Sequence, residues 1–174
     1  MSDKRLIIYG AGGHANVVAD AAAKSGWEII AFADDNTPGG QFINGIKVCR
    51  YEELKDEQAF IVIAIGNNKV RELLAKKIVH SITNIIHPTA VISAGVTLGT
   101  GNVILANAVI QANTTIGDHC IINALVCVDH DVKIDSFVHI YPNSCVAAMA
   151  EIATGLTLPP MSIAKGYTGN EQIA

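Results

Sequence analysis

Residues 86 to 158 carry one constraint stronger than anything else in the chain. Taken six at a time they read Ile86, Ile92, Leu98, Ile104, Ile110, Ile116, Ile122, Val128, Ile134, Ile140, Val146, Ile152 and Leu158, every one aliphatic. The residue four places after each is mostly small or β-branched (Ala90, Val96, Ala108, Thr114, Cys120, Val126, Val132, Val138, Ser144, Ala150), with Asn102 and Leu156 as exceptions. Six is a multiple of the strand period of two, so the first and fifth residues of a hexad face the same way. It is not a multiple of 3.6, and a helix would scatter them around its surface. Each hexad is therefore a short strand and a corner. Stacked coils of such units bury a continuous apolar column and pair each backbone with the coils above and below.

The eighty or so residues before the repeat read differently. Arg5 to Tyr9 is a short apolar run, followed at once by Gly10-Ala11-Gly12-Gly13-His14-Ala15. This fits G-x-G-x-x-G/A with Ala15 in the third small position. Helix formers run from Ala15 to Lys24 and stop at Gly26, and a second apolar run from Glu28 to Ala33 leads to Asp34 and Asp35. Strand, glycine turn, helix, strand, acid is the opening of a nucleotide-binding βαβ unit. Glycines let the backbone approach a phosphate, and free N–H groups at a helix start favour anions. The same glycines also suit a tight strand-to-helix turn with no ligand.

Further along, 36–45 is a turn-rich loop, Ile46 to Val48 a short strand, Tyr51 to Leu54 a helical turn, and Phe60 to Ile65 a third buried strand ending in Gly66-Asn67-Asn68. A helix over 69–79 is expected to carry Lys69, Arg71, Glu72, Lys76 and Lys77 on its wet side. Ser81 to Ile86 reads as one more strand, which puts the domain boundary near residue 84. Half a dinucleotide fold precedes the repeat, which weakens NAD as a ligand.

Half of the 174 residues are hydrophobic, enough for a sizeable core. The net charge of -4 comes with no basic cluster, which argues against nucleic acid. Cys49, Cys120, Cys127 and Cys145 form no CxxC pair and read as small buried thiols, and no metal motif is present. No signal peptide or membrane-length apolar run is evident, so a reducing cytoplasm is the expected compartment and no membrane insertion is foreseen.

Hexads that begin with Ile, Leu or Val resemble the left-handed parallel β-helix of the hexapeptide-repeat acyltransferases. That resemblance implies the handedness and three hexads per triangular coil, hence about four coils. With the GxGGHA loop, the Asp34-Asp35 pair and Ala64-Ile65-Gly66-Asn67-Asn68 in front, the chain resembles the PglD/NeuD-type sugar acyltransferases. The expected architecture is an α/β Rossmann-like half domain over 1–84 and a left-handed β-helix over 85–174. By the same resemblance Gly12, Gly13, His14, Asp34, Asp35, Gly66 and Asn67 would line a nucleotide-sugar site, and His14 could reach a bound nucleotide or a neighbouring subunit.

Charges are sparse in the repeat until Asp129-His130-Asp131, and His139 follows nine residues after His130. A histidine followed by a carboxylate, with a second histidine nine on, is similar to the family's catalytic motif. His130 would be the general base that takes a proton from an amine or hydroxyl attacking a thioester, a role worth about 10²- to 10⁴-fold. Asp131, or failing it Asp129, would orient the ring. His139 would contact acetyl-CoA, the implied co-substrate, and no metal is implied. His80, His87 and His119 are read as structural or exposed. The Leu158-Pro159-Pro160-Met161-Ser162-Ile163 segment looks like the family's closing sequence but arrives early, where further Gly/Ala-rich coils are usual. The resemblance thus implies an acetyl-CoA-dependent N-acetyltransferase of a nucleotide-linked 4-amino sugar, working as a homotrimer. A sialic acid O-acetyltransferase and a shortened, non-catalytic nucleotide-sugar-binding homologue are the alternatives.

Overall fold

A computed structural model of the chain describes residues 4–37 and 40–166; Pro38 and Gly39, in the turn-rich loop expected over 36–45, lie outside them. The first part is a six-stranded sheet. Its strands are β1 (Arg5–Tyr9), β2 (Glu28–Ala33), β3 (Phe42–Ile43), β4 (Ile46–Cys49), β5 (Phe60–Ile63) and β6 (Ser81–Ile82), in the order β3-β4-β2-β1-β5-β6. All neighbours are parallel except β3 with β4. That pair is a hairpin whose Asn44-Gly45 turn has positive φ at both residues, as a two-residue hairpin needs. Leu6, Ile7, Ile8, Ile61 and Val62 are fully enclosed, which explains why β1 and β5 read as unbroken apolar runs.

Helix α1 (Gly13–Lys24) covers one face of the sheet with Ala15, Val18, Ala19 and Ala22. Helix α2 (Asn68–Ala75) serves the other through Leu74 and Ala75. Connections leave β1 and β5 on opposite faces, so the crevice between their C-terminal ends is where such a sheet binds ligands. Two expectations need correction here. Helix α2 is shorter than 69–79, and Arg71, placed on its wet side by the charge pattern, is 0% exposed. Its guanidinium finds enough carbonyl acceptors to be held inside, which a charge count cannot foresee.

The expected strand over 81–86 is likewise two. Ser81–Ile82 ends the first sheet and Ile85–Ile86 begins the prism. Between them Asn84 turns away, its side chain donating to Gly99 O and accepting from Asn102 N, both at 2.8 Å.

From Ile85 to Ala164 the chain winds into a three-sided prism, with sheets of five, five and four two-residue strands. Residues eighteen apart pair in parallel register, as in Ile86, Ile104, Ile122, Ile140 and Leu158. The aliphatic hexad positions and their small partners form one core that runs the length of the prism. Of the two sequence exceptions, Leu156 is exposed, and Asn102 is buried with its Oδ1 accepting from Cys120 N at 2.7 Å.

Corners follow a rule of their own. Positions 95, 101, 107 and every sixth residue to 161 have φ between 55° and 81°. Glycine and asparagine take the left-handed region cheaply, but Leu125, Phe137, Met149 and Met161 do not, at about 1–2 kcal/mol each. They are held there by the ladder: Leu125 N donates to Ala106 O at 3.0 Å and Phe137 N to Asp118 O at 2.8 Å.

The three outer faces differ. The first (Ile85, Val103, Ile121, His139, Thr157) lies against the α/β domain, with Ile85, Val103 and Ile121 packed in the core beneath α1. The second (Val91, Val109, Cys127, Cys145, Ile163) is apolar and uncovered in the single chain, with Val91 and Ile163 well exposed. The third (Thr97, Thr115, Lys133, Glu151) is polar.

Candidate active site

Where the sheet's crevice meets the first face of the prism, the chain forms a cleft of about 590 Å³. Gly66, Asn67, Asn68 and Lys69 line it from the start of α2, and Tyr141, Gly155 and Thr157 from the prism. Asn67 caps α2 by accepting from Val70 N at 3.1 Å. Among the described residues, Lys69 is the only charged one lining the cleft, and the helix start adds N–H groups. The cleft therefore favours an anionic ligand.

His139 stands behind it. Its Nδ1 is 3.1 Å from Gly66 O, its ring stacks on Tyr141 at 4.1 Å, and its Nε2 lies 3.5 Å from Asn123 Nδ2. His14, second residue of α1, approaches His139 with ring centroids 6.0 Å apart. His14 thus reaches the prism of its own chain. Burial, then the neighbouring His139 and Arg71, pushes the His14 pKa down to about 4. The pKa of His139 is lowered too, by burial first and by Arg71, against the contrary pull of the Gly66 carbonyl. Both shifts favour the uncharged rings. Asn123 belongs to this group and has no sequence signal of its own, since nothing but the fold brings it to His139.

Gly12 and Gly13 are open, with nothing within 4 Å of where a side chain would start. Gly10 is the constrained one: φ is +125°, and a Cβ would stand 2.8 Å from Ala64 O. The acid pair is engaged in holding the loops. Asp34 accepts from Ala11 N at 3.1 Å and Asn36 N at 2.9 Å. Asp35 accepts from Tyr9 Oη at 2.5 Å and Tyr51 N at 3.0 Å, and the tyrosine bond keeps its pKa below the ordinary value. Asp35 also edges a second cavity of about 530 Å³, with Tyr9, Arg50, Tyr51, Glu52, Lys55 and Lys77.

His130 and Asp131 stand elsewhere, at the corner between the second and third faces. Asp131 is the left-handed residue there, with φ 58°. The turn points its carboxylate back, so that Oδ2 lies 2.7 Å from His130 Nδ1 while Oδ1 accepts from Asn113 Nδ2 at 3.1 Å. Asp129 is 3.9 Å from Nε2 and accepts from His130 N at 2.7 Å instead. A carboxylate can only accept, so the neutral ring carries its proton on Nδ1 and presents the Nε2 lone pair. Asp131 raises the His130 pKa, and the bonds from His130 and Asn113 lower that of Asp131. The ring is half exposed and lines neither cleft of its own chain. The structure therefore gathers His14, Gly66, Asn67 and His139 in one place, and His130 and Asp131 in another.

An α/β half fold docked on a hexapeptide prism is an architecture shared with solved acetyltransferases. Residues 5–78 match the PglD N-terminal domain family. Perosamine N-acetyltransferase from Caulobacter crescentus, solved as a mutant with CoA and GDP-perosamine, is 30% identical over 91% of this chain and 82% of its own, with a TM-score of 0.80. The acetyltransferase domain of PglB from Neisseria gonorrhoeae, solved with acetyl coenzyme A, is 34% identical over 93% of this chain and 85% of its own, at a TM-score of 0.77. A UDP-N-acetylbacillosamine N-acetyltransferase of Bacillus subtilis is 33% identical over 108 residues, a match that spans half of that relative's length. The chain belongs to the PglD-type sugar acetyltransferase family, and its prism is the left-handed parallel β-helix of that family.

Proposed function

We propose that this protein transfers an acetyl group from acetyl-CoA to the amine of a nucleotide-linked 4-amino sugar. The observation that carries the reading is the cleft itself: Gly66, Asn67, Asn68 and the cationic Lys69 at a helix start on one side, Tyr141, Gly155 and Thr157 of the prism on the other, and room for a ligand of this size. Relatives that span the chain were solved with CoA, acetyl coenzyme A and GDP-perosamine.

Gly12, Gly13, His14, Gly66 and Asn67 hold the nucleotide sugar, with Asp34 and Asp35 fixing the loops around it. The sugar amine attacks the thioester carbonyl carbon, the C–S bond breaks, and CoA leaves as its thiol. The proton lost by the amine passes to His130 Nε2 and from there to the departing sulfur. Asp131 keeps the ring in the tautomer this needs and stabilises the imidazolium once formed. His139, behind Tyr141 at the back of the cleft, serves the acetyl-CoA side of the site.

The dyad and the cleft are brought together by self-association. The apolar second face, Val91 to Ile163, is the surface a homotrimer buries. Tyr141 leads from the cleft toward the corner shared by the first and second faces, and His130 sits at the other edge of the second. Packing second faces around a threefold axis sets the His130 corner of one copy beside the cleft of the next. The test is release of CoA thiol from acetyl-CoA on addition of a UDP- or GDP-linked 4-amino sugar. Turnover that depends on both substrates supports the reading; binding of the sugar nucleotide without thiol release would leave a non-catalytic homologue.

A further inference from the structure

Arg71 is the largest fully enclosed side chain among the described residues, and the groups its guanidinium bonds to there are all neutral. Its Nε donates to His119 O at 2.7 Å. Nη1 donates to Ile65 O at 2.8 Å and Gly66 O at 3.3 Å, and Nη2 to Asn68 Oδ1 at 2.7 Å and Phe137 O at 3.2 Å. Asn68, held by this fork, donates in turn to Gly155 O at 2.9 Å. His119, Phe137 and Gly155 are the left-handed residues of one corner, eighteen apart. The start of α2 is thus riveted to three successive coils.

We infer that Arg71 is a positioning residue for the cleft: it fixes the Gly66 carbonyl against the prism and thereby sets which nitrogen of His139 carries the proton. Gly66 O accepts from both Arg71 Nη1 and His139 Nδ1. A carbonyl only accepts, so the proton is on Nδ1 and the unprotonated Nε2 accepts from Asn123 Nδ2 at 3.5 Å. The titratable and charged groups around His139 are Arg71 from α2, His14 from α1 and Tyr141 from the prism. None is an acid, and the guanidinium opposes a second positive charge on the ring. Lysine cannot replace it, because one ammonium does not span three carbonyl-bearing segments. The consequence for substrate is a cleft wall of one fixed shape, with Tyr141 stacked on a ring held at both nitrogens.

This consequence rests on the proposed use of the cleft, but the tautomer does not, so the two are separable. Nitrogen-15 NMR of the His139 ring in the full chain is expected to show a protonated Nδ1 and a bare Nε2. The ring should also stay neutral below the usual histidine range. In Arg71→Lys the signals should move toward a tautomer mixture, and kcat/KM should fall by about 10²-fold, and guanidinium ion added to Arg71→Ala should restore the wild-type spectrum. A wild-type ring with the proton on Nε2 overturns the inference without any variant. So does an Arg71→Lys ring that keeps the wild-type tautomer. Wild-type and Arg71→Lys spectra both as expected, in a protein that shows no turnover, would uphold Arg71's role and count against the catalytic reading alone.

Discussion

Truncating Ile122 to alanine tests whether the six-residue column is what holds the prism. The side chain is 0% exposed and stacks in register between Ile104 and Ile140. The change removes three carbons, worth about 2.4 kcal/mol by transfer at about 0.8 kcal/mol each. The cavity left behind adds to this if the walls cannot close. They cannot close easily, because Leu105 N to Ile122 O at 2.9 Å and Asn123 N to Ile140 O at 3.1 Å fix the coil spacing. The expected loss is therefore about 3–4 kcal/mol, within the range for such truncations. For a chain of this length that lowers Tm by about 10 °C. Leu158→Ala is the internal comparison: this residue is 9% exposed and pairs with one coil instead of two, so about 2 kcal/mol is expected. Urea unfolding followed by circular dichroism, at one fixed protomer concentration, measures both. A loss below about 1 kcal/mol for Ile122→Ala, or no larger than for Leu158→Ala, would refute the stacked-column account.

Three more outcomes follow from the site and the faces. His14 is half-buried, with its pKa lowered to about 4, so the unfolded chain binds more protons between that value and the ordinary histidine range. Stability should fall as pH drops through this window, by up to about 3 kcal/mol, and His14→Gln should flatten the curve measured by denaturant titration at several pH values. Asp131 raises the His130 pKa, so activity should rise with pH along an acid limb above the usual histidine value. Asp131→Asn should move that limb to lower pH while cutting kcat, and an unmoved limb would exclude the pair from the titration. Val109→Lys puts a charge in the middle of the apolar second face and should yield monomers by sedimentation, with the fold retained by circular dichroism; a wild-type protein already monomeric at micromolar concentration would contradict the trimer.

Much of this molecule is legible in the sequence because the burial that stabilises it most recurs at a fixed spacing. A column that must stay dry every sixth residue leaves Ile86 to Leu158 in plain view, and the unbroken runs at 5–9 and 60–63 announce strands buried on both sides. What does not show is whatever depends on partners far away in the chain. The corners are set by backbone ladders, so residues as different as Gly95, Phe137 and Met161 share one conformation and leave no pattern. Arg71 reads as a surface charge because its acceptors are carbonyls, which have no letter in a sequence. The site splits in the same way. His130 and Asp131 are adjacent in the chain and could be paired by eye, and the 2.7 Å contact joins them. His14, Gly66, Asn123 and His139 meet only once two domains dock. Asp34 and Asp35 are assigned to ligand by motif, yet each carboxylate already accepts two bonds from its own chain.

The claim at the centre is that the corner imidazole takes the proton of the attacking amine, and a single comparison bears on it most directly. Thiol release from acetyl-CoA with a nucleotide-linked 4-amino sugar, measured for wild type and His130→Ala at saturating substrates, should differ in kcat by about 10²- to 10⁴-fold. Sugar-nucleotide affinity, taken separately by calorimetry, should stay within about twofold, because the glycine loop and the start of α2, not His130, hold the nucleotide in the proposed complex. Equal kcat in the two proteins would contradict the account.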